Sequence, residues 1–169
     1  MKHLKFQRRL PVGLRYKNPL NIKRDPKNNW LGKVKDNKAT FEMFTSFFYG
    51  YRAAMILVKK HILLGRCTTI GELISIWAPP SENGEKITKQ YQNFVAEGLN
   101  ATTDDVVRWE NKRQICDIVY LMTIFENGSP RLLVNEEING IGKCYDYPKD
   151  FYSIIEQAYD AVRGGVNGK

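Results

Sequence analysis

Residues 46–65 read SFFYGYRAAMILVKKHILLG. Phe47, Tyr51, Ala54, Met55 and Val58 recur at helical spacing, Ser46 is placed to accept a first-turn N–H, and Gly65 stands where a left-handed residue closes a helix. Downstream the helical punctuation continues. Thr69-Ile70-Gly71-Glu72 has the spacing of a capping box and predicts a short helix through Ile76, with Glu72 serving the cap. Pro79 and Pro80 stop that helix, Asn83 caps the next, and Ile87, Tyr91, Phe94 and Val95 line one face up to Gly98. Thr103, Asp104 and Asp105 place acceptors and negative charge at the start of a central helix carried by Val106, Trp109, Ile115, Ile118, Val119 and Met122 to Phe125. Asn127-Gly128-Ser129-Pro130 ends it, a short helix is predicted over 132–138, and Pro148 opens a last one running to about 162–164. Upstream, residues 30–44 change period: LGKV, a polar turn KDNK, then ATFEMF, which predicts a short hairpin turning at 35–38. The expected fold is mainly α, six helices with one small β-hairpin.

At 169 residues with 43% hydrophobic and 26% charged side chains, the chain has the size and composition of one domain with its own core. The boundaries expected are 1–169, with 1–12 a flexible basic leader and 164–169 a frayed glycine-rich tail. No window approaches the roughly 18 consecutive apolar residues of a membrane span. The basic N-terminus lacks the apolar stretch of a signal peptide, so delivery to a periplasm or wall would go through a holin, a virion or a secretion machine from a phage particle or a bacterial cytoplasm. Cys67, Cys116 and Cys144 are widely spaced and odd in number, which argues for free, mostly buried thiols over a disulfide framework or a four-ligand zinc site. His3 and His61 stand in no metal or catalytic motif, so no cofactor and no metal are expected.

Charge is distributed unevenly. Residues 1–38 hold 12 Lys or Arg against Asp25 and Asp36, whereas the other 131 residues are close to neutral. Such a segment attracts polyanions, with nucleic acid, a membrane surface and an anionic cell wall as the candidates. Its Tyr16, Pro19, Ile22, Trp30 and Leu31 make it too rich in anchoring side chains for a disordered tail.

Gly13-Leu14-Arg15-Tyr16-Lys17-Asn18-Pro19-Leu20-Asn21-Ile22-Lys23, then Trp30-Leu31-Gly32, Tyr49-Gly50-Tyr51-Arg52-Ala53-Ala54 and Trp77-Ala78-Pro79-Pro80-Ser81-Glu82-Asn83 together resemble a family of bacteriophages, prophages and gut bacteria described as virion or structural proteins. The likeness covers residues 13–98. More remotely, the order NPLNIK, Trp30-Leu31-Gly32 and FEMF is similar to that of the glucosaminidase branch of the lysozyme-like superfamily. The resemblance implies a lysozyme-like helical domain acting on bacterial cell-wall peptidoglycan by cleaving a glycosidic bond, as a glycoside hydrolase or a lytic transglycosylase. It implies that Asn18 and Asn21 line a saccharide groove with Trp30, Tyr91 and Asn83 as further substrate contacts. For Trp77 and Tyr91 the helical spacing favours core filling.

In that superfamily the general acid is a glutamate at the end of a helix preceding the asparagine turn, yet residues 1–24 contain no Asp or Glu. Two replacements offer themselves. Glu82 lies in the loop after Pro79-Pro80, and Glu42 sits between Phe41 and Met43, whose apolar surroundings would raise a carboxyl pKa by desolvation. Two other readings stand beside the enzyme. One is a non-catalytic virion or wall-binding module, with other virion proteins as partners; the other is a nucleic-acid-binding protein using Arg8, Arg9, Arg15, Lys23 and Arg24 on phosphates, with Tyr16 and Trp30 stacking bases.

Overall fold

The computed structural model of the protein describes residues 10–128, 134–135, 143–144 and 150–164. It is mainly helical: α1 Val12–Arg15, α2 Phe47–Leu63, α3 Ile70–Trp77, α4 Pro80–Asn83, α5 Glu85–Gly98, α6 Lys112–Asn127 and α7 Phe151–Val162, with two-residue strands β1 Val134–Asn135 and β2 Lys143–Cys144. Helix α2 is capped as its sequence requires, Ser46 accepting from Tyr49 N–H. Its buried face of Tyr51, Ala53, Ala54, Met55 and Val58 forms the spine of the core. The α6 residues Ile115, Ile118, Val119 and Met122, α3 through Ile70, Leu73 and Ile74, and α7 through Ile155 and Ala158 close around it. At α3 the capping box forms in full, Thr69 accepting from Glu72 N–H while the Glu72 carboxylate accepts from Thr69 N–H. Cys67 and Cys116 are buried free thiols, and burial pushes the Cys116 thiol up to about 12.

Four local expectations are corrected. Helix α6 starts at Lys112, capped by Asn111, nine residues after Thr103. The acceptors at 102–105 close a turn instead, with Asp105 Oδ2 accepting from Thr102 N–H, and the backbone carbonyls of Thr103 and Asp105 take the first-turn N–H groups of Gly71 and Ile70. Val106 then bridges to Thr69 in antiparallel fashion, so the stretch caps α3 and cannot wind its own helix. At 134–135 the chain is extended, Val134 opposite Cys144 and Asn135 opposite Lys143, where the sequence predicted helix. A β-branched residue followed by Asn is weak helix material, and the Asn139-Gly140 pair between the strands is a hairpin signal in the sequence. The rest of 132–138, Cys144's side chain and Pro148 lie outside the described residues, as do 1–9 and 165–169.

The hairpin expected at 30–44 is replaced by two isolated antiparallel bridges, Lys23 to Phe41 and Lys33 to Phe44. Residues 40–44 change partner along their length: Arg24 N–H donates to Thr40 O and Glu42 N–H to Ile22 O, while Val34 N–H donates to Met43 O. The segment is thus stitched between 22–24 and 33–34. Finally, Asn83 does not cap α5. It ends the short α4, and Gly84, with φ 81°, occupies the cap position.

Gly50 marks where α2 meets the N-terminal lobe. A Cβ there would lie 2.1 Å from the backbone oxygen of Lys17 and 3.0 Å from Pro19 Cδ. Because the first obstacle is backbone, Gly50→Ala is expected to lower stability by about 1–3 kcal/mol. Urea unfolding measures it, and an unchanged midpoint would show that the lobe can slide on α2.

Candidate functional site

The turn at 18–22 is held from three sides. Asn18 is fully buried, its Nδ2 donating to Ile22 O at 2.9 Å and Glu42 O at 3.0 Å while its Oδ1 accepts from Ile22 N–H at 3.0 Å. Asn127 Nδ2 of α6 donates to Pro19 O at 2.7 Å, and Trp77 Nε1 of α3 donates to Leu20 O at 3.1 Å. These bonds fix the backbone so that Asn21, in the left-handed region at φ 51°, turns its side chain toward the end of α6. There Asn21 Nδ2 donates to Glu126 Oε2 at 2.9 Å.

Glu126 is the group that sequence reasoning missed. It is partly buried in the last turn of α6, flanked by Asn21 from the turn and Tyr91 from α5. Desolvation raises its pKa, and hydrogen bonds from Asn21 and the Tyr91 hydroxyl offset only part of the rise. A carboxyl group whose pKa is raised, presented by a helix end and oriented by Asn21 and Tyr91, has the makings of a general acid. Two signals could have found it. The helix runs to Asn127, two residues past the predicted end at Phe125, with Gly128 as its cap, and a carboxylate in a last helical turn opposes the macrodipole, an electrostatically costly placement.

Asn21 also lines a recess of about 380 Å³, which Glu126 does not line. Ile22, Leu57, Ile76 and Trp77 supply its apolar wall, and Asn21, Asn28, His61 and Glu82 its polar edge. His61 lies below its ordinary pKa because it is partly buried and faces Arg66 and Lys60. Glu82, with its side chain 51% exposed, forms an ion pair with Lys23 on this rim.

The other sequence candidates divide plainly. Glu42 is completely buried, its Oε1 accepting from Lys33 Nζ at 3.0 Å and from Asp25 N–H at 3.1 Å, so it anchors the lobe and presents no proton to a substrate. Asn18 spends its amide on the backbone, which removes it as a saccharide contact. Tyr91 is 1% exposed and stacked on Phe125, with ring centroids 4.0 Å apart, so it supports Glu126 from within the core and is no groove wall. Trp30 packs against the core away from the recess lining, and exposed Asn83 donates only to Pro79 O at 3.3 Å. Asn21 and Glu82 remain at the recess.

No protein-family model matches the chain, and no curated protein is similar to it at a significant level. The site therefore has to be read from its own chemistry. Among the described residues no helix is long and apolar enough to cross a membrane, and no group of three or more His, Cys, Asp or Glu side chains is placed to hold a metal ion.

Proposed function

We propose that the protein acts on peptidoglycan and cleaves a glycosidic bond of the glycan strand, with Glu126 as the general acid. The observation that carries this reading is the contact between Asn21 and Glu126. The lysozyme-like resemblance calls for a glutamate at the end of a helix preceding the asparagine turn; this chain has none there, and the helix-end glutamate that meets the turn comes from α6, 105 positions downstream in the sequence. The acid absent from residues 1–24 is supplied from the other end of the fold.

In this reading the Glu126 carboxyl gives its proton to the leaving oxygen as the bond from the anomeric carbon to that oxygen breaks. Positive charge develops on the sugar ring, and the carboxylate left behind then accepts a proton from the nucleophile that attacks the anomeric carbon. Water as nucleophile gives hydrolysis, whereas the sugar's own 6-hydroxyl gives an anhydro product. Asn21 holds Oε2 and so orients the carboxyl group. Exposed Lys17, Lys23, Arg24, Lys27, Lys35 and Lys38 all lie in the N-terminal lobe that carries Asn21, which suits approach to an anionic wall.

Release of soluble muropeptides from purified sacculi tests the proposal, with product masses distinguishing hydrolysis from anhydro formation. Release is expected to fall as pH rises, because desolvation raises the pKa of Glu126 and extends its protonated form above the ordinary carboxylate range before the acid is lost. Binding to sacculi with no release across pH 4 to 9 would replace the enzyme by a wall-binding module. Binding to DNA alone, weakening steeply with salt, would move the function to the basic lobe.

A further inference from the structure

At the far end of α6 from Glu126 lies another recess, of about 470 Å³, within the roughly 300–1,000 Å³ of ligand pockets. Lys112 opens α6 and Glu126 stands in its last turn, so nearly the whole helix separates the two places, roughly 20 Å at about 1.5 Å per residue. Lys59 and Leu63 from the end of α2, Trp109 and Lys112 around the start of α6, and Tyr159 and Arg163 from the end of α7 line this recess. Its three cations stand out because the chain beyond residue 38 is close to neutral. Among the described lining residues the opposing carboxylate is Glu110, exposed at the rim.

Contacts within the fold explain two of the cations. The Lys59 ammonium donates to Val162 O at 2.7 Å and Arg163 O at 3.4 Å, where it offsets the negative end of α7, and it lies 5.6 Å from the centre of the Trp109 ring. Lys112 Nζ pairs with Asp160 Oδ2 at 2.8 Å. Two groups remain unmatched. Arg163 is exposed and has no carboxylate partner among the described residues. Trp109 is only 4% exposed, and its Nε1–H is buried with no acceptor among the described residues. Its indole cannot easily turn away to find one, because the Tyr159 hydroxyl donates to Trp109 O at 2.7 Å and the two rings pack with centroids 4.7 Å apart. A buried donor left unpaired is costly, so the site favours a ligand that brings an acceptor. Both unmatched groups are donors and one is a cation, which calls for an acceptor carrying negative charge.

We propose that this recess binds a small organic anion, a carboxylate or a phosphate monoester, whose oxyanion accepts from Trp109 Nε1–H and from the Arg163 guanidinium. The planar guanidinium suits either oxyanion, since it offers two parallel N–H groups to two oxygens. Lys59 and Lys112 add Coulomb attraction while keeping the partners they already hold. Leu63, 50% exposed at the edge of the recess, packs against the carbon body of the ligand. The site stands apart from the glycan-cleaving reading, because neither Glu126 nor Asn21 lines it.

The test titrates the full chain with phenyl phosphate and with benzoate at constant ionic strength, with benzyl alcohol as the neutral control, and follows the indole N–H signals in a proton–nitrogen correlation spectrum. Binding of at least one anion is expected, with a shift of the Trp109 Nε1–H signal, and the tighter of the two identifies the oxyanion. Trp109→Phe assigns that signal. If this buried change prevents folding, Trp30→Phe and Trp77→Phe assign it by elimination. Arg163→Gln, at an exposed position, is expected to weaken binding roughly tenfold, and Glu110→Gln, which removes the opposing carboxylate, to strengthen it by a smaller factor. Absence of binding by both anions up to roughly 10 mM overturns the site. So does benzyl alcohol binding as well as the anions, a Trp109 signal that stays in place, or an affinity that Arg163→Gln leaves unchanged.

Discussion

Glu126→Gln is expected to abolish muropeptide release while leaving the protein folded and at least as stable as the wild type at neutral pH. Loss of a general acid removes about 10²–10⁴-fold of rate. Gln keeps the size of the side chain and an oxygen that can accept from Asn21 Nδ2, so the contact between the turn and α6 survives. The stability side follows from linkage. A carboxyl whose folded pKa is raised contributes most stability below its unfolded value, about 4.3, and loses that contribution as pH climbs through the folded value. At pH 7 the wild type has therefore lost stability that the non-titrating Gln keeps. Thermal unfolding of the two proteins should show the variant ahead at pH 7 and the advantage gone near pH 4. An inactive variant that is also strongly destabilised would make Glu126 a structural residue. A variant that still releases muropeptides at the wild-type rate would leave the asparagine turn without its acid.

Glu82→Gln, on the rim of the recess, provides the contrast. Its carboxylate is half exposed and paired with Lys23, a solvent-screened contact that contributes little to stability. Its location in a loop after two prolines made it attractive from sequence alone, since loops held by a scaffold often carry function. What the sequence did not disclose was distance. Residues 21 and 126 have no local pattern in common, and only the packing of α1 and the turn against α6 brings them together. The helices themselves were legible because their signals are local: Ser46 and Thr69 as caps, Gly65 and Gly98 as ends, and the apolar face of α2. The region at 102–111 misled for a physical reason. Acidic residues and threonines serve helix starts and tight turns equally well, and the choice is made by whether a neighbouring element needs their carbonyls. Here α3 does. The same non-locality hid the true partner of 40–42, which pairs with 22–24 across an intervening loop instead of folding back on 33–34 alone.

Lys33→Met is expected to be the most destabilising single change in the N-terminal lobe, by about 3–5 kcal/mol. The Lys33 ammonium makes three bonds of 3.0 Å, to Glu42 Oε1 and to the backbone oxygens of Asp25 and Asn28. It closes the loop from 25 to 33 over a carboxylate that is 0% exposed, with its own side chain only 18% exposed. Removing the cation leaves Glu42 buried without its counter-charge and Asn28 O without its lysine donor, while Asp25 O keeps the Asn28 N–H. Most of the expected loss comes from that uncompensated group, not from the attraction of the pair itself. Glu42→Gln should therefore cost less, because it removes the buried charge and still lets the side-chain oxygen accept. Changing both, Lys33→Met with Glu42→Leu, should recover part of the single-variant loss, and a double-mutant cycle in urea reads the coupling directly. Additivity within about 0.5 kcal/mol would mean that water reaches the pair and that it behaves as a surface contact. The same variants also separate anchoring from catalysis: Glu42→Gln should release muropeptides at the wild-type rate per folded molecule.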